Sequence, residues 1–149
     1  MTRTLVLLAA LMTAQLAAFP AAAQMSVYVG ATAPDPVGTR LAYAIREGIR
    51  RSAAMTLVDR EQDGFLSVRM VSLDPDRSDS PNGNRTIYSV VWTTKTFRDT
   101  PVTMYLTSSV GICGSNRVAQ CAEALVADTD SQVSQVRGWI QDVADKSRK

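Results

Sequence analysis

The chain has 149 residues, 16 basic against 14 acidic, a formal net charge of +2 and no histidine. That length supports one ordinary domain with its own core and not two, and so even a charge balance gives no reason to expect a nucleic-acid partner. The missing histidine removes the usual general base, the commonest zinc ligand and the Ser-His and Cys-His nucleophile pairs together.

Residues 1–23 read as an export signal. Thr2 and Arg3 make a short basic start, Leu5 to Phe19 is apolar apart from Thr13 and Gln15, and Ala21, Ala22 and Ala23 supply small residues for a peptidase. The apolar run falls short of the roughly 20 residues a spanning helix needs, and it holds no cysteine for lipidation. Cleavage after Ala23 is expected to leave residues 24–149 as a single α+β domain, periplasmic or secreted, with no stable membrane anchor.

Residues 26–33 alternate as a first strand. Asp35 before Pro36 is a helix-start signature, because the carboxylate accepts from orphan amides and proline at the first helical position loses no needed donor. The helix is expected to run to about Ala54, with Val37, Leu41, Ile45 and Ile49 on its buried side. Short apolar runs at 55–58 and 65–73, separated by the polar segment Asp59 to Gly64, read as a hairpin. After a long loop, Asp74 to Asn84, the β-branched and aromatic stretch Thr86 to Phe97 is a central strand.

The next strand shows the clearest alternation. Val102, Met104, Leu106, Val110 and Ile112 share one phase, whereas Thr103, Tyr105, Thr107 and Ser109 share the other. The polar row is expected to face solvent on the open side of the sheet and to form the candidate binding face, with Tyr105 its best exposed ring. From Val118 an apolar stripe at three and four residues runs to Val143, consistent with one long helix capped by Ser115 or Asn116.

The order β-α-β-β-β-β-α predicts an α+β two-layer sandwich: a mainly antiparallel sheet of about five strands with the helices on one face. It is similar in topology to small envelope α+β adaptors, without matched residues. Cys113, at the strand end, and Cys121, in the opening turns of the helix, are an even pair in an exported chain and are expected to form a disulfide stapling the two elements.

No residue set carries an obvious chemistry. Asp59, Glu61, Asp63 and Gly64 imitate the start of a calcium loop, but Met70 stands where a bidentate glutamate belongs. Asp74, Asp76 and Asp79 read as turn residues. Lys95 with Ser89 or Ser109 is a poor dyad, since a basic lysine must be desolvated. Gly111 to Asn116 lacks the phosphate-loop spacing and lysine. Arg46, Arg50, Arg51 and the tail Lys146, Arg148 and Lys149 complement helix ends. No catalytic residue, metal site or cofactor is therefore assigned. The reading is a non-catalytic binding or adaptor module for another envelope protein, acting through an open sheet face or edge; the alternatives are a histidine-free hydrolase using paired carboxylates and an inhibitor of an extracytoplasmic enzyme.

Overall fold

The computed structural model describes residues 24–75, 84–96 and 102–148. It has strands β1 (Met25–Thr32), β2 (Met55–Val58), β3 (Leu66–Leu73), β4 (Arg85–Lys95) and β5 (Thr103–Gly114), and helices α1 (Pro36–Arg50) and α2 (Val118–Lys146). They form a five-stranded sheet, order β2-β1-β3-β4-β5, covered on one face by both helices. The fold is α+β, as the order of elements predicts.

The sheet is mixed: antiparallel pairing holds over the longer ladders, as expected, and parallel pairing surrounds β1. β1 pairs in parallel with both β2 and β3, and only β3-β4 and β4-β5 are antiparallel. The β2-β3 hairpin does not exist. α1 returns the chain to the same end of the sheet, so β2 must run parallel to β1. β2 then ends with Val58 beside Tyr28, and β3 begins with Leu66 beside Val27 on the other flank. Residues 59–65, with a 3-10 turn at Glu61–Asp63, carry the chain across β1.

α1 starts where Asp35 predicts. The Gly38 amide donates to Asp35 Oδ1 at 2.6 Å, Pro36 occupies the first turn, and Val37, Leu41, Ala42, Ile45 and Ile49 are buried. The helix ends at Arg50, four residues short of the expected Ala54, because residues 51–54 make the turn into β2. α2 is continuous, as its unbroken stripe predicts, but neither Ser115 nor Asn116 caps it; the N-cap position falls on Arg117, which makes no side-chain cap bond.

The core lies between the sheet and the helices: Val27, Val29, Leu66, Val68, Met70, Val90 and Trp92 from the strands meet Leu41, Ile45, Ile49, Leu125, Val133 and Val136. Trp92 points inward and is 1% exposed, and its Nε1 donates to Thr129 Oγ1 at 2.9 Å. Thr129 in turn donates to the Leu125 carbonyl at 2.7 Å. Thr129 is thus a buried strut inside one continuous helix.

Cys113 and Cys121 are bridged, with Cα atoms 6.2 Å apart, and tie the end of β5 to α2. For a loop this short, reduction is expected to remove about 2–3 kcal/mol, read as a lower denaturant midpoint with reductant than without.

Candidate binding surface

One residue pair decides the geometry of the uncovered face. Thr93 pairs with Tyr105 but the adjacent Trp92 pairs with Thr107, so Leu106 is an extra residue in β5. Such a bulge inverts the phase of every residue beyond it relative to unbroken alternation.

The expected polar row is therefore split. Thr103, opposite Lys95, and Tyr105, opposite Thr93, lie on the uncovered face, and Tyr105 is exposed. Thr107 and Ser109 lie opposite the buried Trp92 and Val90, so they belong to the helix side. The four residues do not form one face. Val110 and Ile112, predicted to be core, instead stand on the uncovered face at 73% and 66% exposure.

Two rows of paired residues result. Leu73, Ile87 and Ile112 run side by side across β3, β4 and β5, and Val71, Ser89 and Val110 form the next row. Val71 and Leu73 are more than half exposed. Five apolar side chains on three adjacent strands make a contiguous patch, the kind of surface that marks an interaction site.

The opposite end of the same face is polar and covered. Residues 59–65 lie over Tyr28, whose Cβ would be 2.8 Å from a Cβ at Gly64. Glu61 pairs with Arg69 and Asp63 with Arg60, so two carboxylates of the calcium-like run are engaged by guanidinium groups. Lys95 Nζ donates to the carbonyls of Glu61 and Gln62 at 3.0 and 2.6 Å, which ties the crossover to β4 and occupies the lysine of the candidate dyad. Tyr88 sits on the helix side, in line with the buried Ser72, and its ring lies against Gly111, where a Cβ would meet its hydroxyl at 2.5 Å.

Asp35 is the one buried carboxylate among the described residues. Burial pushes its pKa up, but the Gly38 amide and the hydroxyls of Ser72 and Thr86 outweigh that and hold it below the ordinary value. Its Oδ2 accepts from Ser72 at 2.7 Å and Thr86 at 3.0 Å. These bonds join the start of α1 to β3 and β4, a structural role. No cluster of three or more His, Cys, Asp or Glu side chains suited to a metal occurs among the described residues. The arginine group is also engaged: Arg46 donates to the Val29 carbonyl and Arg50 pairs with Glu47. Asp76, Asp79 and Lys149 lie outside the described residues, as does the expected signal segment.

The described residues thus define a two-layer α+β domain with an exposed apolar sheet patch. No protein-family model and no curated protein matches the chain. Among solved structures it is similar to PelC from Paraburkholderia phytofirmans, at 12% identity and a TM-score of 0.43, over 69% of this chain and 86% of that one. It is also similar to the rare lipoprotein B from Shewanella oneidensis, at 14% identity and a TM-score of 0.36, over 74% of this chain and 98% of that one. Nothing about activity follows from likenesses at this level.

No described helix is long and apolar enough to cross a membrane. The apolar patch is what sequence periodicity missed. Its signal was present in Cys113, which is in phase with Tyr105 and yet has to face the helix to reach Cys121.

Proposed function

We propose that this protein is exported and acts as a non-catalytic binding module, recognising another envelope protein through the uncovered sheet face or its β5 edge. The observation that carries the reading is the patch formed by Val71, Leu73, Ile87, Val110 and Ile112, whose members have no packing role toward the helices. A strand-edge interface of this kind uses main-chain bonds for affinity and alternate side chains for specificity. The disulfide supports an oxidising compartment, and the basic-apolar-small pattern of residues 1–23 supports export. The alternative, a hydrolase built on two carboxylates, would need two acids converging on one cleft, whereas Asp35, the one buried carboxylate among the described residues, is held by Gly38, Ser72 and Thr86.

A photo-reactive side chain at position 110 is expected to cross-link an envelope protein in the producing cell, whereas one at the exposed Tyr43 on α1 is not. Val71→Glu, at an exposed site where stability changes stay within about 0.5 kcal/mol, should abolish the adduct. Equal labelling from both positions, or an adduct indifferent to Val71→Glu, would overturn the patch reading. Tyr105→Ala tests the polar end of the same face and is expected to leave the adduct unchanged.

A further inference from the structure

β5 is the last strand of the sheet and has twelve residues. Natural edge strands are blunted by charge, proline or shortness, yet between Thr103 and Gly114 there is no Asp, Glu, Lys, Arg or Pro. Its one blunting device is the bulge at Leu106, and the stretch beyond it is regular to the strand end.

The direction of the free backbone groups follows from the ladder. The Ser115 amide donates to the directly opposed Asn84 carbonyl at 2.7 Å, which marks that pair as hydrogen-bonded. Antiparallel pairs alternate, so Cys113, Gly111 and Ser109 exchange bonds with β4, whereas the N–H and C=O of Ser108, Val110 and Ile112 turn to the outer side; the Gly114 carbonyl, at the strand end, already accepts from the Arg117 amide at 2.9 Å. The same residues that present apolar side chains on the uncovered face therefore present unpaired main-chain groups at the edge.

We infer that this edge pairs with a second copy of the chain, the two β5 strands running antiparallel about a twofold axis at Gly111. This rests on the binding-module reading and names the occupant of its edge. Self-pairing is favoured because an isologous contact sets each residue against its own strand, and an uncharged strand brings no like charges together. The register is fixed by the side chains. With the axis at Gly111, Val110 of each copy opposes Ile112 of the other, giving two apolar cross-strand pairs. An axis at Val110 opposes each Ile112 to Ser108, and one at Ile112 opposes each Val110 to Gly114. The pairing joins the two apolar patches into one surface across a continuous sheet of both copies.

Sedimentation of the oxidised protein is expected to give twice the chain mass, falling to the single mass on dilution. Val110→Lys/Ile112→Lys and Val110→Glu/Ile112→Glu are each expected to be folded monomers, and mixing them is expected to restore the dimer, because lysine then opposes glutamate in both pairs. Should either paired variant misfold, amide exchange in the native chain decides: the Val110 and Ile112 amides should slow as concentration rises. A wild-type monomer at all concentrations, a dimer indifferent to both substitutions, or no dimer on mixing folded variants overturns the inference. A monomer that still cross-links a foreign envelope protein through the patch overturns self-pairing alone. A dimer that cross-links nothing foreign overturns the envelope-partner reading alone.

Discussion

Trp92→Ala is expected to cost about 3–5 kcal/mol of folding free energy, the range for emptying a buried aromatic site. The indole is the largest fully buried side chain, on a central strand, with Val68 beside it on β3 and Thr129 above it on α2. Against a total stability of roughly 5–15 kcal/mol for a domain, the loss leaves a marginal protein. Trp92→Phe separates the two contributions. It keeps most of the ring volume and removes the donor to Thr129, whose hydroxyl still has the Leu125 carbonyl, so its cost should be nearer the roughly 0.5–1.5 kcal/mol of one hydrogen bond. Denaturant unfolding followed by circular dichroism measures both. Equal costs for the two variants would show that packing around the indole contributes little.

Gly38→Ala is expected to be of similar severity, about 3 kcal/mol, through overpacking combined with loss of a buried charge's partners. The added Cβ would lie 1.9 Å from Ser72 Oγ and 2.6 Å from Asp35 Oδ2, so the hydroxyl must leave the carboxylate it serves. Ser72→Gly removes the nearer obstruction, leaving Asp35 Oδ2, and the double variant should therefore be more stable than the sum of the single losses predicts. The same carboxylate sets an acid limb. Its folded pKa lies below the ordinary aspartate value of 3.8, so its stabilisation is complete above that value and is lost as pH falls through the lower folded one. Asp35→Asn should flatten the fall in stability on acidification below 3.8. An unchanged acid limb in Asp35→Asn would show that other carboxylates set it.

Much of the fold was legible because its signals are local. Asp35 and Pro36 mark a helix start, the α2 stripe keeps its phase through Thr129, and β4 is rich in β-branched and aromatic residues. What could not be read is what non-local pairing decides. Residues 59–64 have turn chemistry whether the chain reverses or crosses over β1, so the parallel placement of β2 and β3 was hidden. The buried partners of Asp35 come from positions 72 and 86, which no spacing rule connects to position 35. The uncovered sheet face was misread for a subtler reason. Val102 to Ile112 keeps a period of two in sequence, interrupted only by Ser108, and a bulge leaves that period intact while reversing which face it addresses.

The bulge and the disulfide are one device. In an unbulged β5 with the same β4 pairing before Leu106, Cys113 would fall on the uncovered face, across the sheet from Cys121. The bridge can close only in the bulged register, so oxidation acts as a proofreader of strand alignment. A molecule paired one residue out of step cannot make this bridge, so under oxidising conditions closing the disulfide selects the bulged alignment.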